Sequence, residues 1–134
     1  MGRLLKTLIF NEEISLSLLD TTDIVNEAIK IHGLSPLAAA ALGRTITAVA
    51  FMASNLKNDS DNLSVTIHGD GVGGSIVVCA DSALHLRGYI DEPNVELPLN
   101  SAGKLDVAGC VGRHGRINVV KNLGLKEPYT GSCH

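Results

Sequence analysis

One stretch of the sequence, from Pro36 to about Lys57, constrains the fold more than any other. It consists mostly of Ala, Leu, Ile, Val, Phe and Met, and Ser35 before Pro36 is a typical helix N-cap. At 1.5 Å per residue such a helix is about 33 Å long, a length that would suit a membrane span. Arg44 near its middle would cost roughly 2.5–3.5 kcal/mol in a membrane. We therefore predict a helix buried in a globular protein, covered on more than one side, and no membrane association.

Arg44 is the only charged residue between Pro36 and Leu56. A buried guanidinium must find partners, because an unpaired buried charge costs several kcal/mol. We therefore predict that Arg44 is buried and forms a structural ion pair or caps carbonyl oxygens. The alternative is that Arg44 contacts an anionic ligand.

The rest of the chain predicts short strands and further helices. Two strands are predicted at 3–10 and 13–19, and the alternation of Ile14, Leu16 and Leu18 with polar residues is typical of a half-buried strand. An amphipathic helix is predicted over 22–32, with Gly33 as its stop. After a polar loop at 57–62, a short helix is predicted within 103–111. The remaining predicted strands are 63–68, 75–80, 84–90, 95–99 and 116–121, and residues 129–134 read like the start of another.

This order of elements predicts the fold class. Two strands, two helices and then mostly strands indicate an α+β protein rather than alternating βαβ units. We predict mostly antiparallel sheet layers around a long buried central helix. The 134 residues form a single predicted domain, 1–134, which is long enough to bury a core.

Charge and cysteine content exclude several classes of protein. The formal net charge of -3 and the 3% aromatic content argue against a nucleic-acid binder, which would carry a basic stripe or stacking aromatics. The three cysteines, Cys79, Cys110 and Cys133, are widely spaced and contain no CxxC pair. This usage predicts a reducing compartment, the cytoplasm, and no zinc site or other cofactor in this chain.

A glycine-rich run, Gly69-Asp70-Gly71-Val72-Gly73-Gly74, fits the G-x-G-x-x-G template of nucleotide-binding loops. In such sites a helix follows the glycines, but here the apolar run 75–80 predicts a strand. We therefore predict that Gly69, Asp70 and Gly71 form a turn that connects a hairpin. A small cytosolic enzyme or nucleotide-binding domain that uses the turn 69–74 is the alternative.

Two further patterns bear on chemistry and on binding. Asp106, Cys110 and His114 are spaced by four, but glycines interrupt any helix that would bring them together, so we predict a structural cysteine and no enzyme. Val77 and Val78 make the strand 75–80 apolar on both faces. Such a strand is either buried on both sides or part of an exposed interaction surface.

Three stretches carry a resemblance to a known family. They are Thr21–Glu27 continuing to Ala41–Ala48, the turn Gly69–Gly71, and Gly103–Val107 through Val119–Leu125. Together they resemble the N-terminal core of the bacterial redox-regulated heat-shock holdases, the 33 kDa chaperonin or heat shock protein 33 family. The resemblance runs from about residue 3 to Gly131.

The resemblance implies an ATP-independent chaperone that holds unfolding proteins under heat and oxidative stress. It implies client proteins and self-association or a dimer as partners, and it makes Val77 and Val78 a candidate client-binding strand. The family's zinc and its redox-sensing CxC and CxxC cysteines lie in a C-terminal module, which we expect to be absent from this chain. No zinc ligand or redox role is therefore carried over to Cys79, Cys110 or Cys133. A third possible function is that of a plain structural or assembly module, whose apolar strands only complete an oligomer.

Overall fold

The computed structural model describes residues 2–134, which form seven strands and three helices. In chain order these are β1 (Arg3–Ile9), β2 (Ile14–Asp20), α1 (Thr22–His32), α2 (Pro36–Ala53), β3 (Asn62–Gly69), β4 (Ile76–Asp81), β5 (Leu86–Ile90), α3 (Val107–Val111), β6 (Gly115–Asn122) and β7 (Tyr129–Cys133). The α+β class and the antiparallel sheets are confirmed.

The apolar helix α2 lies at the centre of the core. Leu42 and Ala38 are completely buried, and Ser35 caps the helix by accepting a hydrogen bond from Ala38 N at 3.2 Å. By length and apolarity α2 could cross a membrane, but 56% of it is buried inside this fold, as in a soluble core helix. The helix ends at Ala53, because the side chains of Ser54 and Asn55 both donate hydrogen bonds to the carbonyl of Phe51.

The prediction that Arg44 is buried is wrong. Arg44, Ala48 and Phe51 are exposed and follow one another at helical spacing, so they form a stripe that no other element covers. The sheet contacts α2 on its other sides, and Arg44 lies at the rim of a depression that it shares with Thr22 and Asn26 of α1. The ion pair of Arg44 therefore stays a prediction.

Five antiparallel strands form the larger sheet, in the order β5-β4-β3-β6-β7. Its inner face carries Val65, Val78 and Ile76, which are at most 5% exposed, and this face packs against α2. The central strand β3 pairs Val65 with Val78 of β4 on one side and with Val119 of β6 on the other. Burial of these alternate residues holds the helix and the sheet together.

The smaller sheet is the hairpin of β1 and β2, in which Arg3 lies opposite Asp20 and Ile9 lies opposite Ile14. One face of the hairpin is tied to the end of α2. There the Lys6 ammonium donates hydrogen bonds to the Ser54 carbonyl at 2.8 Å and to Asn55 Oδ1 at 3.2 Å. The hairpin therefore lies beside α2 on a side that the larger sheet does not cover, and the prediction of sheet layers around the helix is confirmed.

Residues 95–99 were predicted as a strand and have no neighbouring strand. The segment instead lies against the start of α2, where Ser35 Oγ donates to the Val95 carbonyl at 2.6 Å and Ser35 N donates to the Pro93 carbonyl at 2.8 Å. Prolines at 93 and 98 remove backbone donors, which disfavours strand pairing. The short helix α3 lies within the predicted range 103–111. The strand predicted to start within 129–134 is present as β7.

Candidate functional site

The glycine-rich turn packs against the α3–β6 connection, and its backbone amides are already engaged. Gly71 N donates to the Val111 carbonyl at 3.2 Å and Gly73 N to the Cys110 carbonyl at 2.8 Å. A Cβ on Gly69 would overlap the Val111 carbonyl oxygen, so the glycines permit close backbone packing. The run connects β3 to β4, and the backbone N–H groups that a phosphate would need already donate to carbonyl oxygens.

Asp70 fixes this packing. Its Oδ1 atom accepts hydrogen bonds from Arg113 N at 2.9 Å and from His114 N at 3.3 Å. These backbone N–H groups, His114 first and Arg113 second, stabilise the carboxylate and lower the pKa of Asp70. Asp70 therefore holds the glycine-rich turn against the α3–β6 connection. Its position in a predicted turn only partly indicated this role.

Cys110 lies in the hydrophobic core. Its side chain is completely buried, and burial, followed by the nearby charge of Asp106, raises the pKa of the thiol. Asp106 itself caps α3 by accepting a hydrogen bond from Gly109 N at 2.9 Å. A thiol with a raised pKa is a poor nucleophile, so the spacing of Asp106, Cys110 and His114 does not build an activated cysteine.

Val77 and Val78 point to opposite faces of the sheet. Val78 is completely buried beneath α2, whereas Val77 is half-buried on the outer face beside Cys79. Of this candidate pair, only Val77 is accessible to a partner. All three cysteines are free, and no group of three or more His, Cys, Asp or Glu side chains within residues 2–134 could hold a metal ion.

One face of the β1–β2 hairpin, which we call the hairpin face, is apolar and exposed to solvent. It consists of Leu5, Ile14, Leu16 and Leu18, which are 59%, 46%, 38% and 54% exposed. The alternation in β2 did predict a strand, but its apolar side faces solvent, because the end of α2 contacts the opposite face, where Ser17 and Leu19 are half-buried. An exposed contiguous apolar face is typical of an interaction surface.

The tip of the hairpin adds a further exposed aromatic ring. Phe10 is 70% exposed, and Phe10, Asn11 and Glu12 all have left-handed backbone angles, with φ of 51°, 54° and 67°. Non-glycine residues adopt this region uncommonly, and Asn tolerates it best. The connection between β1 and β2 therefore forms without glycine, and it leaves Phe10 exposed to solvent.

A second apolar feature is a groove of about 830 Å³ between α1 and the edge strand β5, which we call the α1–β5 groove. Ile24, Ala28 and Ile31 of α1 form one wall, and Leu86 and Tyr89 of β5 form another. Ile31 is 68% exposed, and α1 has no buried residue. The sequence identified the apolar stripe of α1 but held no signal that this stripe would be left half-covered.

Comparison with known proteins shows what the chain is related to. The family model described as "Hsp33 protein" matches residues 2–134. The 33 kDa chaperonin of Ruminiclostridium cellulolyticum is 53% identical over 111 residues, which are 83% of this chain and 38% of that protein. The 33 kDa chaperonin of Clostridium acetobutylicum is 45% identical over 129 residues, which are 96% of this chain and 43% of that protein.

The fold has a solved counterpart. The crystal structure of the 33 kDa chaperonin of Thermotoga maritima superposes with a TM-score of 0.88 at 35% sequence identity, covering 96% of this chain and 43% of that one. The chain thus spans about two fifths of the length of these relatives. The family match over nearly every residue, together with the shared fold, shows that this chain belongs to the Hsp33 protein family.

Proposed function

We propose that this chain is the N-terminal part of a holdase core, which binds unfolding proteins without ATP under heat and oxidative stress. The observation that carries the proposal is the hairpin face, a continuous apolar surface presented to solvent. Binding of unfolded chains requires exposed apolar area rather than a pocket with convergent polar groups. The names of the relatives, all 33 kDa chaperonins, support the same activity.

The proposal places the zinc and the redox switch of the family outside residues 1–134. In support, the three cysteines are free and the part of the chain described here has no cluster of metal-ligating side chains. The cytoplasm is the proposed compartment, since free cysteines persist in a reducing environment. Self-association is also proposed, because the hairpin face and two strand edges of the larger sheet are uncovered.

The test is suppression of light scattering by a client protein that unfolds on heating. We expect the chain to suppress scattering and the double variant Leu16→Asp/Leu18→Asp to lose most of this effect, because two charges would interrupt the hairpin face. Ser15→Asp is the matched control, since Ser15 is exposed on the opposite face of the same strand. Equal suppression by the double variant and the control would contradict a role for the hairpin face.

Circular dichroism of both variants is the accompanying measurement. Leu16 and Leu18 are exposed, so their substitution should leave the helical signal of α2 unchanged. If the parent chain fails to suppress scattering of any client tested, the holdase proposal for this chain is wrong.

A further inference from the structure

The edge strand β7 is attached to the larger sheet through few side-chain contacts. No side chain of β7 is buried: Gly131 is half-buried and the other four residues are exposed. The strand joins the sheet by pairing with β6, its one neighbour in the strand order. A segment with few buried apolar contacts opens at a low free energy. Individual side-chain interactions with β6 therefore decide how much of β7 is paired.

Two side-chain contacts join the end regions of β7 to β6. At its start, the Lys121 ammonium lies 5.9 Å from the centroid of the Tyr129 ring, a cation–π contact. Directly after its end, Arg116 Nη2 lies 3.3 Å from His134 Nε2. The strand itself carries no charged residue. Of the four side chains in these contacts, only the imidazole belongs to a class that ordinarily changes charge between pH 5 and 8.

The chemistry of the two groups fixes the direction of the hydrogen bond between Arg116 and His134. A guanidinium has only donors, so Nε2 of His134 accepts and the proton of the neutral ring lies on Nδ1. When the ring gains a second proton, Nε2 becomes an N–H group that faces an N–H group of Arg116. The hydrogen bond is then lost, and two positive charges lie opposite each other. Like charges opposite one another on neighbouring strands are destabilising.

A second imidazole lies on the other side of Arg116. His68 of β3 is opposite Arg116 in the strand register, and His68 Nδ1 lies 2.6 Å from Ser75 Oγ. Protonated His68 can still donate to this hydroxyl, so the bond to Ser75 survives acidification. The added charge lies beside Arg116 and therefore increases the repulsion there.

Two aspartates lie at this end of the sheet. Asp70 accepts hydrogen bonds from the backbone N–H groups of His114 and Arg113, which lower the pKa of Asp70, and Asp91 bonds to the segment before β4. Carboxylates, including the backbone carboxylate of His134, ordinarily titrate near pH 4, below the range of imidazoles. Acidification from pH 8 to pH 5 therefore adds only positive charge here, on imidazoles that include His114.

We propose that the hydrogen bond between Arg116 and His134 is an acid-sensitive attachment, and that protonation of His134 releases β7 from β6. At neutral pH the bond keeps the end of β7 in the sheet. At acidic pH its loss and the repulsion that replaces it open the strand and leave the outer edge of β6 without a partner. This property of the fold does not depend on the holdase function proposed above.

The experiment follows the Cα chemical shift of Gly131 by NMR as the pH is lowered from 8 to 5. Gly131 lies in the middle of β7, opposite Val119, so its shift reports whether the strand is paired. We expect the ratio of paired to unpaired β7 to fall by at least about fivefold, the scale of losing one hydrogen bond and gaining one like-charge contact.

Three variants identify the responsible group. His134→Gln keeps an acceptor oxygen for Arg116 but gains no proton, so β7 should stay paired over the whole range. His134→Lys carries a permanent charge and should reduce pairing already at pH 8. His85→Gln is the matched control, because His85 bonds to Asp81 at the opposite edge of the sheet, and this variant should keep the transition of the parent chain.

Several results would overturn the proposal. One is a Gly131 shift that does not change with pH in the parent chain, and another is a transition that persists in His134→Gln. Loss of the transition in His68→Gln alone would assign the response to His68 and overturn the role of His134. Simultaneous changes at Val65 and Val78 in the core would show unfolding of the whole chain rather than release of β7.

Discussion

The larger sheet and the β1–β2 hairpin use similar residues in opposite ways. In the sheet, alternate aliphatic residues such as Val65 and Val78 pack against α2 and are almost completely buried. In the hairpin, Leu16 and Leu18 alternate in the same manner but point to solvent. The difference lies in what covers each face, because period-two alternation marks an apolar face without specifying its partner. The sheet therefore contributes to the buried core, whereas the hairpin leaves an apolar face exposed to solvent.

The largest expected effect sharpens this difference between core and surface. Leu42→Ala removes a completely buried side chain of α2 and should lower the free energy of unfolding by about 2–5 kcal/mol. Leu18→Ala in the hairpin should change it by no more than about 0.5 kcal/mol, because Leu18 is 54% exposed. Urea denaturation measures both values. Similar losses for the two variants would show that the hairpin face is buried in solution.

The glycine turn should be the next most sensitive position. Gly69→Ala would drive a methyl group into the Val111 carbonyl, which is backbone and cannot swing aside, and should cost about 1–3 kcal/mol. Gly131→Ala in the edge strand β7 is the control, since its nearest neighbour is the flexible Tyr129 ring at 3.8 Å. Thermal unfolding of the two variants compares them. An unchanged melting temperature for Gly69→Ala would contradict the close packing of the turn.

Lowering the pH should reduce the stability of the folded chain through protonation of Asp70. Its pKa is lowered in the folded state by the backbone N–H groups of His114 and Arg113, so its contribution is fully present above the ordinary Asp pKa of about 3.9. That contribution is lost as pH falls from there through the lower folded pKa. We expect Asp70→Asn to lose less stability than the parent chain over this range, as measured by urea midpoints against pH. Parallel curves of urea midpoint against pH for the variant and the parent chain would contradict this role of Asp70.

The smallest expected effect is that of oxidation. Because no switch cysteine is assigned to this chain, suppression of client scattering should be the same with fresh reductant, with peroxide and with a zinc chelator. Cys110 is buried with a raised pKa, and a thiol of this kind oxidises slowly. A peroxide-dependent gain that reductant reverses would show that Cys79, Cys110 or Cys133 senses redox after all.

Local signals predicted most of the helices and strands. The range 22–32 for α1 and the start of α2 at Pro36 are confirmed, because capping residues and apolar periodicity act within a few residues. The family resemblance is confirmed as well, since the Hsp33 family model matches residues 2–134. The helix predictions depend only on residues that are close together in the sequence.

Errors arose where distant residues decide the outcome. Residues 95–99 join no sheet, and Ser35 instead bonds to the Val95 carbonyl at the start of α2. Arg44 was predicted to be buried because its neighbours are apolar, but no element covers that side of α2. The hairpin face and the α1–β5 groove escaped prediction for the same reason, since sequence patterning cannot show which apolar faces find a partner.

The strand order of the larger sheet has a consequence for synthesis of the protein. The central strand β3 meets β4 at once, but its other neighbour, β6, is translated only after β4, β5 and α3. Because non-local pairing is slow and domains fold as the chain emerges, one side of β3 stays unpaired until β6 has been synthesised. During that interval the backbone N–H and C=O groups on one side of β3 form an open strand edge. Until β6 pairs with it, the unfinished chain is prone to the aggregation that chaperones prevent.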